Sequence, residues 1–107
     1  MMRYRVMRLI VMFDLPTLSA SDRRNYRQFR KHLLQDGFLM MQESIYTCIL
    51  IDRQAANLLE KKISLYAPQK GLIQTMIVTE KQYTAINYIS GASNNNINDK
   101  FERLTVI

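Results

Sequence analysis

Val6-Met7-Arg8-Leu9-Ile10-Val11-Met12-Phe13, stopped by Asp14-Leu15-Pro16, is the stretch around which the rest of the chain is arranged. It is short, nearly all apolar, and carries the β-branched Val6, Ile10 and Val11, so it reads as a strand. Apolar side chains on both faces of the run make it a central strand. Pro16 cannot donate to a ladder and ends it.

A helix is expected next. Ser19 or Ser21 can cap its start, Tyr26, Phe29 and Leu33 recur at helical spacing, and Gly37 closes it. Phe38–Met41 and Ile45–Ile51 read as two strands joined by a short turn at Gln42-Glu43-Ser44. Asp52 can cap a second helix lined by Ala56, Leu59, Ile63 and Tyr66 and stopped by Pro68. Gly71 then opens a strand from Leu72 to Thr79, rich in Ile, Val and Thr. The order strand, helix, strand, strand, helix, strand is the split βαβ arrangement of ferredoxin-like domains. The fold class is therefore α+β: a βαββαβ four-stranded antiparallel sheet with two helices on one face, plus a C-terminal strand. One domain is expected over residues 1–92. A polar, Asn-rich linker and a terminal strand at Phe101–Ile107 follow over residues 93–107, the strand docking on its own sheet or a partner's.

Two helices cover one face of such a sheet. The strands are apolar on both: Leu9, Val11 and Phe13 alternate with Ile10 and Met12, and Ile45, Ile49 and Ile51 with Tyr46, Cys48 and Leu50. The uncovered face would be a large apolar patch, which monomers avoid. The simplest cover is a second copy, sheet to sheet about a two-fold axis.

Fifteen Lys and Arg against nine Asp and Glu leave a net charge of +6, which suits a polyanionic partner. Arg23, Arg24, Arg27, Arg30 and Lys31 fall within roughly 120° of the first helix, away from its apolar stripe, with no acid interleaved. Such a ridge can track phosphates, giving affinity without reading sequence; it can equally be a solvated helix face. Arg8 interrupts the apolar stretch near the N-terminus, and nothing approaches the roughly 20 apolar residues of a membrane span, so a cytoplasmic protein is expected.

Asp14 stands at the end of the central strand, where α/β folds gather functional groups. It reads either as a turn residue before Leu15-Pro16 or as a metal ligand. Mg²⁺ needs only one or two carboxylates, and a dimer would supply a second Asp14. Paired carboxylates beside a basic ridge are the minimum equipment for metal-assisted phosphodiester cleavage. Other chemistries find less support. His32 is the single histidine and reads as a surface residue, Cys48 as a small buried hydrophobe, and the seven methionines as core filler. There is no glycine-rich phosphate loop.

Several of these residues recur as a pattern: Val11-Met12-Phe13-Asp14-Leu15-Pro16, Asp22-Arg23-Arg24, Phe29-Arg30-Lys31, Gly37-Phe38, Gln42-Glu43-Ser44-Ile45-Tyr46 and Val78-Thr79-Glu80-Lys81-Gln82-Tyr83. In that order and spacing the chain resembles the small CRISPR-associated ferredoxin-fold endonuclease family, the companion of the integrase in spacer acquisition, and within it the type II-A branch. The resemblance implies a homodimer whose two Asp14 carboxylates, the catalytic residues, hold Mg²⁺ near the interface. It also implies endonuclease activity on RNA or DNA, with single-stranded RNA among the substrates. It further implies a scaffold that holds duplex DNA between integrase dimers. Ser44 matches a hairpin serine and is expected to support the site. Phe13 stands where many members have Tyr, so no hydroxyl is available beside the carboxylate. The contrasting reading is a ferredoxin-like interaction module without nuclease activity, for which any DNA binding should show little dependence on salt.

Overall fold

The computed structural model describes residues 6–91. Along the chain run β1 (Met7–Asp14), α1 (Ala20–Gln35), β2 (Leu39–Gln42), β3 (Ile45–Leu50), α2 (Arg53–Tyr66), β4 (Leu72–Thr79) and α3 (Glu80–Thr84). The strands form one antiparallel sheet in the order β2-β3-β1-β4, with β1 central as its two-sided apolar run requires. The fold is ferredoxin-like, and α1 and α2 cover the same face. The polar linker and terminal strand expected over residues 93–107 lie outside the described residues. No helix among the described residues is long and apolar enough to cross a membrane.

Local chemistry fixes the helix ends. Ser19 caps α1: its hydroxyl accepts from the Asp22 amide at 2.9 Å, and the Asp22 carboxylate accepts from the Ser19 amide at 3.2 Å. At the other end Gly37 takes φ +95°, and the Gly37 and Phe38 amides donate to the carbonyls of Leu34 and Leu33. That is a Schellman close, and the buried Leu33 and Phe38 supply its apolar contact. Asp52 caps α2 by accepting from the Ala55 amide at 2.8 Å. The helix ends where Ala67 turns extended before Pro68.

The core lies between the helices and the facing side of the sheet. Leu9, Val11 and Phe13 of β1 meet Phe29 and Leu33 of α1, Ile63 of α2, and Tyr46 and Cys48 of β3. Phe13 is the hub: its ring meets Phe29 edge-on at 5.1 Å, Tyr26 edge-on at 5.8 Å, and stacks on Tyr46 at 5.7 Å. Cys48 behaves as a buried hydrophobe, and desolvation pushes its thiol above the usual range.

The opposite face carries Arg8, Ile10, Met12 and Asp14 of β1. The antiparallel register sets them beside Ile49, Thr47 and Ile45 of β3 and beside Val78, Met76, Gln74 and Leu72 of β4. Leu39 of β2 joins the Thr47 row. Ile49, Leu72 and Met76 are exposed there. α1 and α2 leave this face bare. α3 touches it at one end, where Arg8 donates through Nε and Nη2 to both Glu80 carboxylate oxygens, at 2.9 and 2.6 Å, and lies over the Tyr83 ring. The methionines correct the expectation of core filler. Among the described ones Met7 alone sits in the core, because strand alternation sends Met12 and Met76 to the bare face and Met40 is exposed on the edge strand.

Candidate functional site

Asp14 is the last residue of β1, exposed, at the rim of the bare face. Because β1 and β3 run antiparallel, the turn that precedes β3 lies beside the end of β1. The Phe13 amide donates to the Ser44 carbonyl at 3.0 Å and clamps the turn there. The result is an open cleft of about 380 Å³, with Asp14, Gln42, Glu43, Ser44 and Gln74 at its polar margin and Met12, Ile45 and Leu72 along its apolar wall. The Asp14 side chain makes no hydrogen bond or ion pair among the described residues, so its carboxylate oxygens are available. Ser44 lines the same cleft, and the contact it makes there runs through its backbone carbonyl. Gly71 packs against the Asp14 main chain: it takes φ +92°, and a Cβ on it would sit 2.7 Å from the Asp14 carbonyl oxygen.

Among the described residues no group of three or more His, Cys, Asp or Glu converges on a point. One protomer thus brings the Asp14 carboxylate, with the Glu43 carboxylate on the same cleft. This donor set is hard oxygen, the chemistry of Mg²⁺, which tolerates one or two carboxylates and keeps water in its other positions. The residues present fit an ion held by Asp14 with its remaining ligands supplied from outside the chain.

The five cations expected to form a ridge are all exposed on α1. They are not equivalent, and none of them lines the Asp14 cleft. Arg23 donates from Nη1 to the carbonyls of Leu18 and Thr17, at 2.9 and 3.2 Å, tying the loop before the helix. Arg30 donates from Nε to the Tyr46 hydroxyl at 2.6 Å. The side chains of Arg24, Arg27 and Lys31 have no hydrogen bond or ion pair among the described residues. His32 is exposed, as expected, and its ring stacks on Tyr66 at 4.5 Å on the side facing α2. Tyr66 in turn donates to Asp36 at 3.1 Å, and Lys62 pairs with the same carboxylate at 2.8 Å.

Three features of the site escaped the sequence reading. Glu43, Gln42 and Gln74 were not seen as cleft residues, although antiparallel pairing of the first and third strands already implies that the turn meets Asp14. Gly71 opens a strand by sequence; the fold also presses the Asp14 backbone against it. Tyr46 was read as strand, and its link to Arg30 spans 16 residues with no local signal.

Comparison with known proteins gives a consistent picture. Residues 7–86 match the family model described as CRISPR associated protein Cas2. The chain is 40% identical over 101 residues to a CRISPR-associated endoribonuclease Cas2 of Lacticaseibacillus rhamnosus, covering 94% of this chain and 100% of that protein. It is 37% identical over 101 residues to the protein of that name from Ligilactobacillus salivarius, with the same coverage, 94% and 100%. To the Streptococcus mutans protein of that name it is 39% identical, over 94% of this chain and 93% of that protein.

Proposed function

The chain belongs to the CRISPR-associated Cas2 family, and from that premise we propose that it acts in spacer acquisition as a homodimeric scaffold that holds duplex DNA beside the integrase. In the same reading, Asp14 serves a Mg²⁺-dependent endonuclease activity. The relatives' names specify an endoribonuclease, so RNA is the first substrate to test and DNA the second.

One observation carries the proposal: an apolar sheet face, left bare by α1 and α2, ends at an exposed carboxylate that is unpaired among the described residues. A second copy laid on that face removes the apolar surface from water, which is the main driving force for such association. With the two-fold near the β1 end, it also brings a second Asp14 to the first. In that assembly Asp14 would hold the ion. Gln42, Ser44 and Gln74 would flank the scissile phosphate, and the Met12–Ile45–Leu72 wall would exclude bulk water. The ion would supply charge compensation at the phosphate and activation of the attacking water. The α1 cations would bear on the phosphates of a duplex, contributing affinity that falls as salt rises.

The test has two arms. Light scattering on the purified chain at micromolar concentration should give the mass of a dimer; a monomer overturns the reading. Spacer acquisition should survive Asp14→Asn, which removes metal-dependent cleavage, and should be abolished by Arg23→Glu, Arg27→Glu and Arg30→Glu together. Acquisition and duplex binding untouched by the triple reversal would dismiss the scaffold. Cleavage persisting in Asp14→Asn would dismiss the nuclease site.

A further inference from the structure

We propose that Tyr46 is a positioning residue for nucleic acid: its buried hydroxyl holds the Arg30 guanidinium in place as a pre-set phosphate clamp. The inference rests on the duplex-binding reading above and assigns unequal roles within the ridge.

Arg30 is exposed on α1, yet its Nε donates at 2.6 Å to a hydroxyl belonging to a fully buried ring. That ring cannot swing. It stacks on Phe13 at 5.7 Å and an interplanar angle of 27°, inside the core cluster. The hydrogen bond from Nε restrains the guanidinium and, among the described residues, leaves the N–H groups of Nη1 and Nη2 free, the end of the fork that grips a phosphate in bidentate fashion. Arg24, Arg27 and Lys31 have no such anchor among the described residues and must be ordered when they bind. Arg23 has both its bonds through Nη1 to loop carbonyls, which occupies part of the fork that Arg30 keeps free. Ordering a long side chain at an interface weakens binding, and a side chain ordered beforehand avoids that loss. The same contact runs from the ridge through Tyr46 to Phe13, the residue preceding Asp14, so the clamp is referenced to the strand that carries the candidate carboxylate.

The test is binding of a labelled duplex to the full chain across a salt series. Tyr46→Phe keeps the ring and removes the hydroxyl, and leaves no buried donor unpaired because Arg30 faces solvent. It should weaken binding roughly two- to tenfold with the slope of log affinity against log salt unchanged, since the charge remains. Arg30→Ala should weaken binding and also flatten the slope by about 0.9 for each arginine withdrawn. Tyr46→Phe added to Arg30→Ala should have no further effect. Arg30→Lys keeps the charge, loses the Nε–H and leaves the core untouched. It should reproduce the Tyr46→Phe result, which keeps the test valid even if Tyr46→Phe proves unstable. Equal losses from Tyr46→Phe with and without Arg30, or full affinity in Arg30→Lys, overturn the clamp while leaving the scaffold reading standing. An unaltered protein that does not bind duplex overturns both.

Discussion

Both faces of the sheet carry rows of apolar side chains, and the two have different fates. On the covered face Leu9 and Val11 are fully buried, and the aromatic rings of Phe13 and Tyr46 lock against Phe29 and Tyr26. On the bare face the apolar side chains are aliphatic or thioether: Ile10, Met12, Ile45, Ile49, Leu72, Met76 and Val78. Ile10 is 7% exposed because neighbouring strands shield it from both sides, whereas Ile49, one strand outward, is 54% exposed. Rings in edge and stacked contact specify one geometry. Flexible methionines and branched aliphatics adapt to more than one packing arrangement. Hydrophobicity alone therefore does not distinguish the covered face from the bare one in these strands; the aromatic residues Phe13 and Tyr46, both on the covered side, do.

The contrast can be broken by substitution on each side. Phe29→Ala should cost about 3–5 kcal/mol of folding stability, read as a lower urea midpoint. Met76→Asp should shift the stability of the isolated fold by only about 0.5 kcal/mol, because Met76 is 47% exposed. It should nevertheless abolish self-association in light scattering. A Met76→Asp protein that still dimerises would place the interface elsewhere.

The next effect sharpens the point where the bare face meets Asp14. Gly37 and Gly71 both take positive φ, but an added Cβ at Gly37 would find Cys48 Sγ at 3.9 Å, an ordinary contact. At Gly71 it would press on the backbone of Asp14 and Leu15 at 2.7 and 3.1 Å. Gly37→Ala should cost about 1 kcal/mol from backbone strain, and Gly71→Ala about 2–3 kcal/mol. Only Gly71→Ala should also weaken metal-dependent cleavage, by displacing the Asp14 main chain. Equal destabilisation by the two alanines would show that β4 yields and that the close approach has no consequence at the site.

Most of the fold was legible because local signals agreed with it. The two-sided apolar run of β1 gave its central place, Ser19 and Asp52 gave the helix starts, and Gly37 gave the close of α1. Asp14 was legible as a strand-end carboxylate, and the bare face as a surplus of apolar positions over covering helices. α3 was not, although Thr79 and Gln82 form its capping box, because a five-residue helix offers no apolar period to read. The division of the cationic ridge was hidden for a different reason. Helical spacing places Arg23 and Arg30 on one stripe with Arg27, but only the folded sheet brings a tyrosine hydroxyl to one of them. The Arg8–Glu80 pair is likewise a tertiary contact, 72 residues apart, with no sequence signature.

The smallest expected effect separates the two faces by pH. Asp22 belongs to the covered side. Hydrogen bonding from the Ser19 amide holds its carboxyl below the ordinary value, reinforced by the Ser19 hydrogen-bonded cap and the nearby Lys70 charge, against the opposing pull of burial. A carboxyl whose folded value is depressed favours folding only while ionised. Its contribution is complete above the unfolded value of 3.8 and is lost as pH falls through the lower folded value. Asp22→Asn should therefore lower the urea midpoint at about pH 7, and the difference from the parent should shrink steadily below about pH 4. Met76→Ala, on the bare face, removes no titratable group and should give an offset that stays constant over the same range. An Asp22→Asn offset that does not change between those pH values would mean that the side chain acts as a neutral cap, with its charge contributing nothing to the fold.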